Sequence, residues 1–460
     1  MSVRPVPDMI RISVTNQTTG VTRQGFGTAL FLTAYATSLN RVETVTKSGF
    51  AATILAFGFN STSSLYYAMQ DYFSQTPSPN TAYIGRVNAE RQDVTVGAYD
   101  VLTTYTITIK DAITPAGVNY NSIAAGSANA AATALAGFIT AGAQNCTAVA
   151  VGPDVQIAAA PAGSTLLVTT SVAGGVGTIG LPVTAANEAM DTALGYCLAE
   201  LADWYGIITV GTLGRTLAQQ KLVAAWAETN YRFYAAGSAD VNIPDLTYAN
   251  DLLGVISIGA YCKQQSYANI SVIYNSDQDP AGTDAYHDAA WLGRVLPADP
   301  GAINWLYKNL SSVSAGTNIS ATWRTNMGNK GVTWYEGFGG RSSTQCGNQK
   351  AMNGYGDYPD ITRTRHWLKI RMEEGIAALF LSVDKVPLTN KGIASIKAEI
   401  QEVLEQGVKQ GALASYTIYV PDSAAVSTAN KVARNLPSVA FTAVISGAIN
   451  SVEVAGIVTV

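Results

Sequence analysis

Gly206-Ile-Ile-Thr-Val210, the run from Thr216 to Thr229, and Tyr231-Arg-Phe-Tyr-Ala235 together decide the fold class of this chain. The outer pieces are short apolar runs with strand character, and the run between them reads as a helix. Upstream, residues 187–204 read as a helix with Met190, Leu194, Cys197, Leu198 and Leu201 on one stripe. Downstream come a helix over 248–264, a strand over 270–274 and a helix over 283–295. Strands that alternate with helices imply a parallel or mixed sheet covered on both faces. Further upstream, 28–33 reads as a buried strand, 48–57 and 61–73 as helices, and 82–87 as a strand. Pro77 and Pro79 stop the second helix.

Composition changes between Ala98 and Ala185. The only charged residues there are Asp100, Lys110, Asp111 and Asp154, and Thr, Gly, Ala, Val and Ser dominate. Strands are expected at 105–109, 155–157 and 165–170, with an Ala-rich helix over 127–140. We read 98–185 as a small β-rich domain inserted into the body and dispensable for the body's fold. The chain of 460 residues exceeds the roughly 250–300 residues at which single cores stop growing, so several domains are expected. Our division is an arm at 1–20, an α/β body at 21–97 plus 186–352, the insertion at 98–185, a C-terminal domain at 353–447 and a second arm at 448–460. The fold class is α/β in the mixed α+β sense.

In the C-terminal part, helices are expected over 362–382 and 391–410. The second carries Ile393, Ile396, Ile400, Val403 and Leu404 as an apolar stripe. Lys391, Lys397, Glu399, Glu402 and Glu405 lie mostly off it. Strands over 415–420 and 440–445 flank a helix that runs through Val432. At the ends of the chain, Ile12 and Val14 alternate with polar residues at strand period, and Val452-Glu-Val-Ala-Gly-Ile-Val-Thr-Val460 is strand-like and apolar.

Charged residues make up 13% of the chain, against about 25% in typical soluble domains. So low a share fits a protein that hides surface against partners. A net charge of −4 gives no long-range positive field, which argues against general nucleic-acid binding. No apolar run is long enough to span a bilayer, and Pro5, Pro7 and Asp8 interrupt any signal-peptide core. Cys146, Cys197, Cys262 and Cys346 are scattered, which suits a reducing compartment and no disulfide framework.

Candidate chemistry is thin. The two histidines, His287 and His366, stand apart from any G-x-S-x-G elbow. Gly175-Val-Gly-Thr-Ile-Gly180 has the dinucleotide spacing, but Pro182 sits where the phosphate-binding helix should run, so a turn is the better reading. Asp277-Gln-Asp-Pro-Ala-Gly282 with Asp288 partly matches a calcium loop, and a turn leading to a helix N-cap accounts for it without metal. The basic run Arg363-Thr-Arg-His-Trp-Leu-Lys-Ile-Arg371 reads as a solvated or interfacial helix face. We therefore expect no enzyme, no metal and no cofactor.

Three stretches together resemble the tail sheath family of contractile phages, in its divergent myophage branch. The first is Gly25-Phe-Gly-Thr-Ala-Leu-Phe-Leu32 with Tyr72-Phe-Ser-Gln-Thr-Pro77 and Tyr83-Ile-Gly-Arg86. The second runs from Tyr274-Asn-Ser-Asp-Gln-Asp-Pro280 to Trp291-Leu-Gly-Arg-Val295. The third joins Trp367, Val386-Pro-Leu-Thr-Asn-Lys-Gly392, Arg434-Asn-Leu-Pro437 and Ser446-Gly-Ala-Ile-Asn450. The resemblance implies a subunit that polymerises helically around a tail tube and contracts to drive the tube through the host envelope. It implies partners in other copies of the chain, the tube protein, the baseplate and a tail terminator, with no nucleic acid and no membrane insertion. It implies a virion component assembled in the bacterial cytoplasm. It also implies that Ile12 and Val14 of one arm and Val452, Val454 and Ile457 of the other add strands to neighbouring subunits. The helix with Lys391, Lys397, Glu399, Glu402 and Glu405 would face the tube. A surface-decorating or carbohydrate-binding virion protein is the alternative reading, and an unrecognised hydrolase a third.

Overall fold

The computed structural model describes residues 24–34, 38, 40–122, 126–254, 256–275, 286–317, 319–346, 352–450 and 452. It opens with strands β1 (Ala29–Ala34), β2 (Val42–Thr46) and β3 (Thr81–Val87). Seven strands follow: β4 (Ala89–Thr95), β5 (Thr104–Lys110), β6 (Val118–Ser122), β7 (Cys146–Val151), β8 (Asp154–Ala159), β9 (Leu167–Ala173) and β10 (Val183–Asn187). Then come β11 (Gly206–Thr209), β12 (Phe233–Ser238), β13 (Ile270–Tyr274), β14 (Thr333–Phe338) and β15 (Arg341–Cys346). The last strands are β16 (Leu413–Tyr419) and β17 (Ala440–Ile445).

The chain divides into two units. The larger holds residues 25–366, 410–412 and 445–460, and the smaller holds 1–24, 367–409 and 413–444. The mixed α/β class expected from the sequence is the one found.

An eight-stranded sheet in the order β15-β14-β13-β12-β11-β1-β3-β2 forms the centre of the larger unit. The strands from β14 to β3 run parallel, and β15 and β2 close the edges antiparallel. Parallel strands need helical crossovers, which cover both faces. That is why Ala29-Leu-Phe-Leu32 and Gly206-Ile-Ile-Thr209 are buried along their whole length and show no alternation. Each such Leu, Ile or Phe contributes about 1.5–3 kcal/mol by leaving water. Helix His287–Val295 lies against helix Ser64–Phe73 at Gly293, where any side chain would strike the Tyr72 main chain.

Two readings of this unit change. The expected helix over 248–264 is two helices, Tyr248–Leu252 and Ile258–Gln265. Ser257 caps the second by accepting from the Ala260 N–H, and its own N–H donates to the Asp251 carboxylate (2.9 Å). A capping serine that also needs an acidic partner upstream cannot sit inside one continuous helix. Helix Ala321–Lys330 was not expected. It buries Asn326 and Lys330 besides Met327, so it shows no apolar stripe. The Lys330 ammonium, fully buried, pairs with Asp251 (2.6 Å) and donates to the Asn242 and Ile243 carbonyls.

Strands β10-β4-β8-β7 make a four-stranded antiparallel sheet and β6-β5-β9 a three-stranded one. Helix Ala128–Thr140 lies on both, and Val94, Tyr105, Ile107, Leu135, Val155 and Ile157 belong to one apolar cluster of their own. These elements reach beyond 98–185 on both sides, since β4 and β10 pair with each other. The join to the central sheet is polar and buried. Arg41 pairs with Glu188, and its guanidinium also donates to the Gly163 carbonyl. Arg86 donates to the Leu166 carbonyl (3.0 Å), and Asn88 to the Gly163 carbonyl and Thr165 (3.2 and 3.1 Å).

Candidate assembly site

The smaller unit is built on helix Asn390–Lys409 and the part of helix Pro359–Ser382 that begins at Trp367. The apolar stripe expected on Asn390–Lys409 is present: Ile393, Ile400, Val403 and Leu404 are buried and Ile396 half-buried. Gly407 lets this helix approach Leu413, since a side chain there would press on it. Asn390 ties down the loop after β16 by accepting from the Ser423 N–H (2.7 Å) and donating to Asp422 (3.0 Å).

Beside these helices, β16 and β17 form a sheet of only two strands. Most of their residues are open to water, including Tyr419, Phe441 and Val444. A two-stranded sheet is marginal alone, and its outer main-chain groups have no partner strand among the described residues. A groove of about 1030 Å³ lies in the same unit, lined by apolar residues such as Phe380, Leu388, Ile396 and Val439 with Lys431 and Arg434.

The five charged positions of helix Asn390–Lys409 are not equivalent. Lys391, Glu402 and Glu405 are exposed, and Lys397 and Glu399 are half-buried. Glu399 packs beside Gly375, and burial followed by the nearby Glu402 charge raises its pKa. Glu405 accepts from Gln401 (2.8 Å) and Tyr416 (3.4 Å).

The chain is tied off close to both ends of its described part. In the smaller unit, the Gln24 N–H donates to Glu374 (2.7 Å) and its carbonyl accepts from Arg371 (3.0 Å). In the larger unit, the Asn450 carbonyl accepts from Tyr307 (2.8 Å) and its side chain from Asn304 (2.7 Å). Val452 is exposed. Ile12, Val14, Val454 and Ile457 lie outside the described residues.

The positions considered for chemistry hold structural roles. His287 is buried, with Nδ1 accepting from Asn275 (2.9 Å) and Nε2 donating to the Ser314 carbonyl (2.6 Å). His366 is buried against Tyr205 and Tyr231. Burial pushes the Cys146 thiol up to about 11 and the Cys197 thiol up to about 12. Gly175 and Gly177 sit in a turn that Asp100 and Thr103 fasten through the Val176 and Gly177 N–H groups, each at 2.9 Å, and no helix follows. Residues 277–285 of the suggested calcium loop lie outside the described residues, and Asp288 pairs with Arg215 (3.0 Å). Among the described residues, no three His, Cys, Asp or Glu side chains gather as a metal site, and no helix is long and apolar enough to cross a membrane.

The basic run departs from its reading as a solvated or interfacial face. Arg363 is buried and donates to the Val295, Leu296 and Phe26 carbonyls, the first two at the C-terminal end of helix His287–Val295. Carbonyls left over at a helix end are natural partners for a cation. Arg365, Lys369 and Arg371 pair with Asp357, Glu373 and Glu374.

No curated protein matches the chain. Among solved structures, a chain of the anti-feeding prophage baseplate is similar at 15% identity over 61% of this chain and 76% of that one, with a TM-score of 0.43. The sheath tail protein of Desulfitobacterium hafniense is similar at 11% identity over 88% and 93%, with a TM-score of 0.44. That of Listeria innocua is similar at 10% identity over 88% of each chain, with a TM-score of 0.42. Residues 360–417, which hold most of helix Pro359–Ser382, all of helix Asn390–Lys409 and most of β16, match the family model described as E217 tail sheath protein gp31-like, C-terminal domain.

Proposed function

We propose that the chain is the structural subunit of a contractile tail sheath, polymerising helically around a tail tube and contracting to drive it through the host envelope for genome delivery. The observation that carries this reading is the match of residues 360–417 to a tail sheath C-terminal domain, whose last strand, β16, pairs with β17 in a two-stranded sheet with no further strand among the described residues. Strands from other copies would complete it. Ile12 and Val14 would enter from one neighbour and Val452, Val454 and Ile457 from another, by β-augmentation. The tube protein, the baseplate and a tail terminator are the further partners, and the assembled virion tail is the location. Purified protein viewed by negative-stain microscopy should form hollow tubes. A monodisperse monomer that binds glycans would overturn the reading in favour of a surface-decorating role.

The tube would meet the exposed charges of helix Asn390–Lys409. Reversing Glu402 and Glu405 together should weaken co-assembly with tube, most at low salt, where screening is least. Single reversals should do little, because an exposed pair is worth about 0–1 kcal/mol. Glu399 is a poor place to test the face, since its contact with Gly375 ties it to helix packing. Unchanged co-sedimentation with tube after the double reversal would reject this face.

A further inference from the structure

The three-stranded sheet β6-β5-β9 turns Tyr105, Ile107, Ile109, Tyr120 and Val168 into an apolar cluster. Side chains alternate across a strand, so Thr106, Thr108, Asn119, Asn121, Thr169 and Ser171 share its opposite face. The register sets them in two rows. Asn121, Thr106 and Ser171 make one, and Asn119, Thr108 and Thr169 make the next. Sheet geometry spaces neighbours within a row by about 4.7–4.9 Å and the rows by about 6.8 Å. Both asparagines, Thr169 and Ser171 are exposed, and Thr106 and Thr108 are half-buried between them.

Two features set this face apart from an ordinary wet sheet surface. The first is its lack of charge. Exposed positions are where lysine and glutamate collect, yet Lys110 at the end of β5 is the one charged residue on all three strands. The second is asparagine, which suits strands poorly. Asn119 and Asn121 are exposed, so packing does not repay their presence. Each is instead held in place: the Thr106 hydroxyl donates to Asn121 Oδ1 and the Thr108 hydroxyl to Asn119 Oδ1, both at 2.8 Å. These bonds occupy the amide oxygens and leave both amide NH₂ groups as outward donors, with threonine and serine oxygens beside them as acceptors.

The chemistry of this grid selects its partner. A protein partner needs an apolar or aromatic centre, which the two rows lack. Nucleic acid and acidic glycans need several cations, and Lys110 stands alone. Sugar hydroxyls are uncharged, donate and accept at once, and repeat along a chain as the rows do. We propose that this face binds a neutral polysaccharide, with Asn119 and Asn121 donating to sugar hydroxyls and Thr106, Thr108, Thr169 and Ser171 accepting from them. Contact with six small side chains is weak in one copy, and many copies in one assembly hold a long glycan at many points. The binding goes beyond the sheath reading and does not depend on it.

The test passes the full chain over immobilised dextran, mannan and galactan, with polygalacturonate as an acidic comparison, at low and high salt. The chain should bind at least one of the three neutral polysaccharides, equally at both salts, because no ion pair is involved. Thr106→Val with Thr108→Val keeps shape and strand preference and removes the hydroxyls that orient both amides. Affinity should fall about tenfold, as loss of a few neutral hydrogen bonds implies, with the circular dichroism and urea midpoint of the parent. Asn119→Ala with Asn121→Ala should give the same loss without touching the central strand. Thr147→Val, at an exposed position of the other sheet, should change nothing. Absence of binding to all three neutral polysaccharides, undiminished binding by both double variants, or binding that high salt removes would each overturn the proposal. Microscopy of the same samples keeps the two readings apart. Tubes that ignore the glycans would sink this face and leave the sheath, whereas glycan binding by a chain that never forms tubes would do the reverse.

Discussion

Replacing residues 98–185 with a short Gly/Ser linker should destabilise the body severely, contrary to the dispensability expected from composition. The linker removes the carbonyls of Gly163 and Leu166, and with them acceptors of Arg41 and Arg86, which are only 6% and 1% exposed. It also removes both partners of the Asn88 amide. Hydrogen bonds to charged groups are worth about 1.5–3 kcal/mol each when a buried partner is lost. Two of them come to roughly 3–6 kcal/mol before the Asn88 contacts are added, set against about 5–15 kcal/mol of total stability for a typical protein. Strand β4 would lose β8, and Val94 and Val96 would lose their cover. Urea unfolding should show a lower midpoint, with much of the protein insoluble. A second variant isolates the cause. If the linker replaces 89–187 and Arg41→Met, Arg86→Leu and Glu188→Gln are added, no buried charge is left short of a partner, and replacing buried ionic groups by apolar ones is often neutral. That variant should regain soluble, cooperatively unfolding protein. A simple linker chain with the parent's urea midpoint would show that the polar join carries no stability.

Why composition misjudged this boundary is instructive. Strand β4, Ala-Glu-Arg-Gln-Asp-Val-Thr, buries only Gln92 and Val94, and β10 buries nothing, so neither shows a strand period. The fall in charge begins after Asp93, inside β4, while the fold begins its excursion at Ala89. The parallel strands were legible because burial on both faces forces unbroken apolar runs, as in β1, β11 and β13. Helix Asn390–Lys409 was legible because one face meets water and the other does not. Lys330, Arg363 and Arg86 were not, because a buried cation looks in sequence like a solvated one. Only the carbonyls and carboxylate around it, distant in the chain, reveal the difference. The open sheet of β16 and β17 was half legible: its strands were expected, but that no third strand among the described residues joins them is a fact of topology.

Removing residues 451–460 should abolish sheath formation and leave a folded, soluble monomer. The chain is fastened up to Asn450 by Tyr307 and Asn304, so a cut after that residue keeps the last contacts to the larger unit described here. What it removes is Val454, Ile457 and the rest of an apolar strand-like run. In a neighbour's sheet, each main-chain hydrogen bond would net about 0.5–1.5 kcal/mol and each buried Val or Ile about 1.5–3 kcal/mol. Ordering the segment costs about 1–2 kcal/mol per residue, which offsets much of this. The surplus per contact is modest, and repetition along a tube makes it decisive. Removing residues 1–15 should act in the same way, because the main chain at Gln24 stays held by Glu374 and Arg371. Circular dichroism and urea unfolding should match the parent for both truncations, while microscopy shows no tubes. Mixing a truncated chain with full-length protein should shorten the tubes, since each incorporated copy lacks one of its links. Regular tubes from either truncated chain alone would rule out strand exchange as the bond between subunits.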